Sequence, residues 1–185
     1  MSISPVPLLS IRSNYSSDYV KLGSLRNSDQ AKLGKRIAEM HRHNVGLKQP
    51  VKQFGYHRKT YCGNAVLEND WQNSWAQFYA DQRIRSICNR ISTAQGDQVI
   101  TDLGDKVASK VVPLLCSSEK IKPALLHGDL WSGLSPLILF KAYGKLLSGN
   151  ASVNSETGEP VLYDACSFYG HNEAELGIVS FPMNH

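Results

Sequence analysis

Apolar residues recur at the 3.6-residue period of an α-helix in three stretches of the chain. The first stretch runs from Ser28 to His43, where Leu33, Ile37 and Met40 fall on one side of a helical wheel. Ser28 is a suitable N-terminal cap, because its short polar side chain can accept a hydrogen bond from the first helical turn. The pattern therefore predicts a helix over residues 28–43.

Two further helices are predicted downstream. The second begins after Asp70, another suitable cap, and its first apolar positions are Trp71, Trp75 and Phe78. The third runs from about Asp97 to Val112, and the stripe predicted to be buried comprises Ile100, Leu103, Val107 and Val111. Pro113 is expected to bend or end this helix, because proline has no backbone N–H. The connection over residues 46–69 shows no period and is predicted to be ordered but irregular.

Short β-prone runs replace the helical pattern after residue 123. Ala124–Leu126 is an apolar run of strand length. The segment Ser155–Glu159 has turn chemistry and separates the runs 151–153 and 161–163, so a small β-hairpin is predicted there. Helices followed by short strands indicate an α+β fold.

Composition supports a globular protein. The chain has 185 residues, of which 42% are hydrophobic, and its formal net charge is +4. These values exclude a disordered chain and suit one domain, with residues 1–27 expected to be loosely ordered and the rest to form the domain. The positive charge is modest and forms no Lys/Arg run, so nucleic acid is not an expected partner.

Neither a membrane span nor an export signal is expected. No stretch reaches the roughly 18 apolar residues of a membrane span, and the N-terminal residues lack the basic start and apolar core of a signal peptide. The four cysteines, at positions 62, 88, 116 and 166, form no C-x-x-C pair and are expected to be reduced and mostly buried. Together these features favour a cytoplasmic protein.

The segment with the strongest chemical content is His127-Gly128-Asp129, which directly follows the predicted strand at Ala124–Leu126. A second acidic residue, Asp164, directly follows the predicted hairpin. Phosphoryl transfer uses such a layout: one carboxylate orients or deprotonates the attacking hydroxyl, and another, with an Asn amide oxygen, holds Mg²⁺. Three residues alone are a weak signal, since an Asp after a strand is often only a turn residue.

The surrounding sequence makes the signal specific. HGDLWSG resembles the catalytic loop of the fructosamine/ketosamine 3-kinase family, which reads HGDLWSGN. The blocks AKLGKRIAEMHRHN, FGYHRKTYCGN, NDWQNSWAQFYADQRI and PVLYDACSFYGHNEAELGI resemble further parts of that family, and the resemblance covers residues 28–178. It implies the mainly helical C-terminal lobe of a protein-kinase-like fold.

The resemblance also implies site residues. Asp129 is expected to be the general base and His127 to brace the loop by hydrogen bonding; Asn150 and Asp164 are expected to hold Mg²⁺. Trp131 is expected to stack on a sugar ring, with a packing role as the alternative. Past the metal aspartate, the residues expected to order the loop and start a helix, rather than to bind a ligand, are Tyr169, His171, Glu173 and Glu175.

The match departs from the family at one point. Sixteen residues, 134–149, separate Gly133 from Asn150, so that Asn150 lies 21 positions after Asp129 instead of five. Removing these residues restores HGDLWSGN. Because sixteen codons keep the reading frame, a retained short intron or a splice-junction error is the favoured explanation. An ordinary lineage-specific loop is the alternative. The segment is expected to be an exposed excursion that could displace Asn150.

Three functions remain open at this stage. The resemblance implies an ATP- and Mg²⁺-dependent kinase that phosphorylates the sugar hydroxyl of ketosamines, on proteins or small amines, so that the unstable product loses its sugar. A kinase for an aminoglycoside or a choline-like compound is the second. The third is a non-catalytic remnant that binds a partner or substrate. The sequence shows no G-x-G-x-x-G strand pair, the motif that covers the ATP phosphates in protein kinases. This favours the third function and predicts that the chain alone transfers phosphate poorly.

Overall fold

Helices dominate the first part of the chain and short strands the last part. The structure is a computed structural model that describes residues 19–116, 121–130 and 150–176. Its α-helices are α1 (Gln30–Arg42), α2 (Trp75–Phe78), α3 (Ser86–Gln95), α4 (Gln98–Lys106) and α5 (Val112–Leu115). π-helical turns at Tyr79–Arg85 and Val107–Val111 join α2 to α3 and α4 to α5. Short 3-10 helices lie at Asn27–Asp29, His43–Gly46 and Asn172–Leu176.

The strands form three small antiparallel sheets within the described ranges. They are β1 (Leu22–Gly23), β2 (Thr60–Cys62), β3 (Ala65–Leu67), β4 (Ala124–Leu126), β5 (Ala151–Asn154), β6 (Pro160–Leu162) and β7 (Phe168–Gly170). The strand orders are β1-β5-β6, β2-β3 and β4-β7. The predicted α+β fold class is therefore confirmed, as are the strand at 124–126 and the hairpin around 155–159.

One short strand lies in the N-terminal segment, among the residues that the structure describes. β1 lies inside the segment expected to be loosely ordered, and it pairs with β5. Helix α1 buries Leu33 and Ile37, as its period predicts. The predicted cap at Ser28 is wrong: Asp29 directly precedes α1, and its carboxylate accepts a hydrogen bond from the backbone N–H of Arg26 at 2.9 Å.

The second helix starts later than predicted. Instead of following Asp70, it begins at Trp75, where the Ser74 hydroxyl accepts a hydrogen bond from the backbone N–H of Gln77. The preceding segment is extended because Gln72 and Phe54 exchange two backbone hydrogen bonds, each 2.8 Å long. A long-range backbone pairing thus overrides a good local cap signal. Trp75 and Phe78 are buried, whereas Trp71 is partly exposed.

Three of the four stripe residues on the third helix, Leu103, Val107 and Val111, are instead exposed, and Ile100 is half-buried. Leu103 is 54% exposed and Val111 is 43% exposed. The buried face carries small residues and lies about 100° around the helix from the predicted one; its members are Gly104, Ala108 and Val112. A Cβ on Gly104 would lie 2.7 Å from the sulfur of Cys88, so the small face lets α4 approach α3 closely.

The helix also continues past Pro113, which lies in the first turn of α5. The π-helical turn at Val107–Val111 directly precedes α5. The wider turn accommodates a proline that lacks the N–H needed for regular helical bonding. Pro113 therefore does not end the helix, which instead changes its type locally just before the proline.

Two clusters of buried side chains hold the loop that follows β4. One joins α2 to β4 and β7, and its largest members are Phe54, Trp75, Phe78, Leu126 and Phe168. The other joins α1 to β5 through Leu33, Ile37, Leu130 and Ala151. Because Leu126 and Leu130 are 0% and 2% exposed, both ends of the segment 127–129 are fixed in the core.

Two further expectations concern cysteines and membranes. All four cysteines are free, as predicted, but only Cys166 is buried and the other three are partly exposed. Among the described residues, no helix combines the length and the apolar character that crossing a bilayer requires.

Candidate active site

The loop His127-Gly128-Asp129 is shaped by its central glycine. Gly128 has a φ of +84°, which lies in the left-handed region that residues with a side chain rarely adopt. A Cβ at this position would lie 2.8 Å from the carbonyl oxygen of Cys166. The sequence thus needs glycine here both for the backbone angle and for the close approach of the segment before β7.

We expect Gly128→Ala to lower the free energy of unfolding by about 1–3 kcal/mol more than Gly158→Ala does. Gly158 is a matched control, because its φ is +69° but a Cβ added there would meet no described atom within 4 Å. Both variants carry the strain of the left-handed backbone, about 1–2 kcal/mol, and only Gly128→Ala adds the collision. Urea unfolding monitored by circular dichroism measures the difference, and equal losses would contradict it.

His127 braces the loop from within. It is 2% exposed, and its Nε2 lies 2.9 Å from the backbone oxygen of Tyr163. Its Nδ1 accepts a hydrogen bond from the backbone N–H of Asp129 at 3.3 Å. These two contacts fit a neutral ring that carries its proton on Nε2, because one nitrogen faces an acceptor and the other a donor. The ring therefore links the loop to the end of β6.

Glu175 holds the same loop through its backbone N–H groups. Its carboxylate accepts the backbone N–H of His127 at 2.6 Å and that of Gly128 at 2.9 Å. Nε2 of His41, on α1, lies 3.4 Å from the same carboxylate. The Glu175 side chain is only 1% exposed, so it acts as a buried anchor. This placement fits the loop-ordering role expected for Glu175.

Asn150 lies directly against Asp129, despite the 21 positions between them. Its Nδ2 is 2.9 Å from the backbone oxygen of Asp129 and 2.9 Å from Oδ2 of the Asp129 carboxylate. The expectation that the inserted residues could displace Asn150 is therefore wrong. Because these bonds use the amide nitrogen, the amide oxygen of Asn150 makes no hydrogen bond within the described part of the chain.

Asp164 completes the group of polar residues. Its φ of +56° is unusual for a residue with a side chain, although aspartate tolerates this region better than most. Its backbone oxygen lies 3.4 Å from Nδ2 of Asn150, and the residue is exposed. A carboxylate and an amide oxygen are hard ligands that suit Mg²⁺, which commonly binds one or two protein groups together with phosphates and water.

One site residue was not found from the sequence. Cys62, on β2, donates from its Sγ to Oδ1 of Asp129 at 3.5 Å. It lies in a hairpin formed by β2 and β3 within the segment predicted to be irregular, and the two-residue turn of that hairpin is Gly63-Asn64. A Gly-Asn turn between β-prone runs is a recognised hairpin signal, so the hairpin could have been predicted, but not its contact with Asp129.

Two sequence-based expectations fall outside the described residues. Trp131, expected to stack on a sugar, is one of them, and the inserted segment 134–149 is the other. The roles predicted for both stay predictions.

A glycine turn, a buried glutamate and paired polar groups after a short strand match the layout that the sequence leads us to expect of a kinase-like site. Comparison with known proteins agrees: the family model described as fructosamine kinase matches residues 13–183. The chain therefore belongs to the fructosamine kinase family, as its sequence blocks predict.

The similar curated proteins carry ketosamine-kinase names. The chain is 33% identical to ketosamine-3-kinase of Mus musculus, over 82% of this chain and 49% of that protein. It is 32% identical to the chloroplastic protein-ribulosamine 3-kinase of Arabidopsis thaliana, over 87% of this chain and 42% of that protein. The chain thus spans about half the length, or less, of the relatives it matches.

Solved structures agree on the fold. A crystal structure from Thermobifida fusca that carries the name fructosamine-3-kinase matches with a TM-score of 0.65 and 24% identity, over 88% of this chain and 48% of that one. Another, from Haemophilus somnus, gives a TM-score of 0.61 at 21% identity, over 90% of this chain and 47% of that one. These similarities place the described residues in one half of a fructosamine-kinase fold.

Proposed function

We propose that the chain carries the phosphoryl-transfer site of an ATP-dependent kinase that phosphorylates the sugar hydroxyl of ketosamines, such as fructosamine or ribulosamine on proteins or small amines. The observation that carries the proposal is the Asp129 carboxylate, which Asn150 holds in a loop whose backbone N–H groups bind Glu175 and the His127 ring. Family membership supports the substrate class.

Asp129 accepts the proton of the attacking hydroxyl in this proposal. The hydroxyl oxygen forms a bond to the γ-phosphorus of ATP, the bond from that phosphorus to the β-bridging oxygen breaks, and ADP leaves. Positioning and charge neutralisation provide most of the rate in such reactions, and general-base assistance adds about 10²–10⁴-fold. The three-residue loop therefore needs rigidity, which its buried ends and hydrogen bonds supply.

Asp164 and Asn150 would hold Mg²⁺, whose charge neutralises the ATP phosphates when it is bound. Their oxygens fit this ion, and the Asn150 amide oxygen is left without a hydrogen bond by the described residues. Trp131 would contact the sugar. The product, a sugar phosphate on the amine, would then lose its sugar and complete a deglycation.

A non-catalytic remnant that binds a substrate or a partner is the competing hypothesis, and a kinase for an aminoglycoside or a choline-like compound is the third. The test is ATP-dependent phosphorylation of a lysine derivative bearing fructosamine or ribulosamine. We would assay the chain both alone and joined to the nucleotide-binding lobe of a full-length relative. Binding of ATP without phosphorylation of any ketosamine, by either protein, would favour the remnant.

In that assay we expect Asp164→Asn to raise the Mg²⁺ concentration needed for half-maximal rate and to lower the rate at saturation. The change removes a negative charge that the ion would bind, while asparagine keeps the left-handed backbone that Asp164 adopts. Asp102→Asn, at an exposed position of α4, is the matched control. Identical Mg²⁺ dependence in the two variants would remove Asp164 from the metal site.

A further inference from the structure

The hairpin formed by β2 and β3 touches the candidate base through one thiol. Cys62 donates to Oδ1 of Asp129 at 3.5 Å, while Asn150 donates to Oδ2 at 2.9 Å. Each oxygen of the carboxylate therefore has its own donor. Cys62 precedes Asp129 in the chain, and Asn150 follows it. We propose that Cys62 is a positioning residue that fixes the orientation of the Asp129 carboxylate. This inference rests on the proposed role of Asp129.

A chain of hydrogen bonds anchors the hairpin that carries Cys62. The guanidinium of Arg83 donates to the backbone oxygen of Glu68 at 2.6 Å and to Oδ1 of Asn69 at 2.7 Å. Nδ2 of Asn69 is 2.9 Å from the hydroxyl of Thr60, which donates to the backbone oxygen of Cys166 at 3.2 Å. The hairpin is thus tied both to the π-helical turn that carries Arg83 and to the segment that packs on the catalytic loop.

Arg83 is itself held in the core. Its guanidinium lies 4.2 Å from the ring centre of Phe168 and 4.6 Å from that of Phe78. Burial lowers the pKa of Arg83 to about 10, which leaves the side chain charged at neutral pH and so keeps its hydrogen bonds strong. An anchored hairpin is what a positioning role requires, because a mobile hairpin could not fix the carboxylate.

The protonation of the thiol suits a donor. Burial, followed by the charge of Asp129, raises the pKa of Cys62, so the S–H form dominates at neutral pH. Cys166, which also faces Cys62, is held protonated as well, because burial raises its pKa to about 12. The charge of Asp164 also raises the pKa of Cys62, by less than that of Asp129 does. Cys62 therefore faces the Asp129 carboxylate as a thiol that can donate its S–H hydrogen, and not as a thiolate.

The contact can be tested without any activity, through the rate at which iodoacetamide alkylates Cys62. The rate is read by peptide mass spectrometry on the folded chain in EDTA, at a pH below the thiol pKa. We expect Asp129→Asn to increase the rate severalfold, because the thiolate is no longer opposed by a carboxylate in contact with it. Asp164→Asn, which removes an equal charge that does not touch the thiol, should give a clearly smaller increase.

Cys88 on α3 provides an internal control in the same digest, and its rate should not change. An equal effect of the two substitutions, or none, would overturn the proposed contact. This result does not depend on whether the protein phosphorylates a ketosamine.

The positioning role is tested by two substitutions at position 62 in the phosphorylation assay. Cys62→Ser keeps a donor and should retain kcat within about threefold, whereas Cys62→Val removes it and should lower kcat by about tenfold at unchanged KM. Cys88→Ala controls for the loss of a thiol elsewhere. Equal kcat values for the serine and valine variants would refute the positioning role. Absence of phosphorylation by the unsubstituted protein would refute the proposed function instead, and the alkylation result would still decide the contact.

Discussion

Asp129→Asn should lower kcat for ketosamine phosphorylation by about 10²–10⁴-fold. The substitution removes the carboxylate to which we assign the proton of the sugar hydroxyl in the proposed reaction. The fold should be retained, because the oxygen of the new amide can still accept the hydrogen bond from Nδ2 of Asn150. The measurement is initial rate against substrate concentration in the protein joined to a nucleotide-binding lobe.

The control for this experiment is Asp102→Asn, an exposed substitution of the same chemistry on α4. Thermal unfolding of both variants should match that of the unsubstituted protein. A protein with Asp129→Asn that folds normally and keeps full activity would show that the proton leaves by another route, and would end the assignment of Asp129 as the base.

Glu175→Gln should lower the free energy of unfolding by about 2–3 kcal/mol. The buried carboxylate accepts two backbone N–H groups, from His127 and Gly128, on its two oxygens. A glutamine offers only one acceptor oxygen, so one buried N–H would face an amide NH₂ and lose its partner. Urea unfolding, monitored by circular dichroism, gives the free energy directly.

Glu173→Gln is the matched control, since Glu173 is exposed on the same 3-10 helix. Its substitution should change the free energy of unfolding by no more than about 0.5 kcal/mol. Similar losses in the two variants would mean that Glu175 stabilises the protein through the 3-10 helix rather than through its bonds to the loop at 127–129.

The features that could be predicted from the sequence are local. The strand at Ala124–Leu126, the hairpin turn at 155–159 and the buried face of α1 each follow from a few neighbouring residues, whose spacing and turn chemistry specify them. The loop residues His127 and Asp129 were found because they directly follow such a strand. Of their partners on other segments, Asn150 and Glu175 were also named from the sequence, whereas Cys62 was not.

The features that were missed depend on contacts between distant segments. Cys62 meets Asp129 across 67 positions, and no local pattern encodes that distance. The exposed position of Leu103 has a similar cause: periodicity shows that a helix has an apolar stripe, but the close packing of Gly104 against Cys88 selects the neighbouring face for burial. The period of apolar residues therefore predicts the helix, whereas packing between helices determines which of its faces is buried.

The hydrogen bonds between Asn150 and Asp129 also bear on how such loops change length in evolution. Closing a loop of 21 positions instead of five costs only about 1.3 kcal/mol in chain entropy. The amide nitrogen of Asn150 holds its far end, because it lies within hydrogen-bond distance of two backbone oxygens and one oxygen of the Asp129 carboxylate. Lineages can therefore gain residues between Asp129 and Asn150 at a small cost in stability. A sequence-motif search that requires a fixed spacing between the two residues would miss a relative in which they still meet in the folded protein.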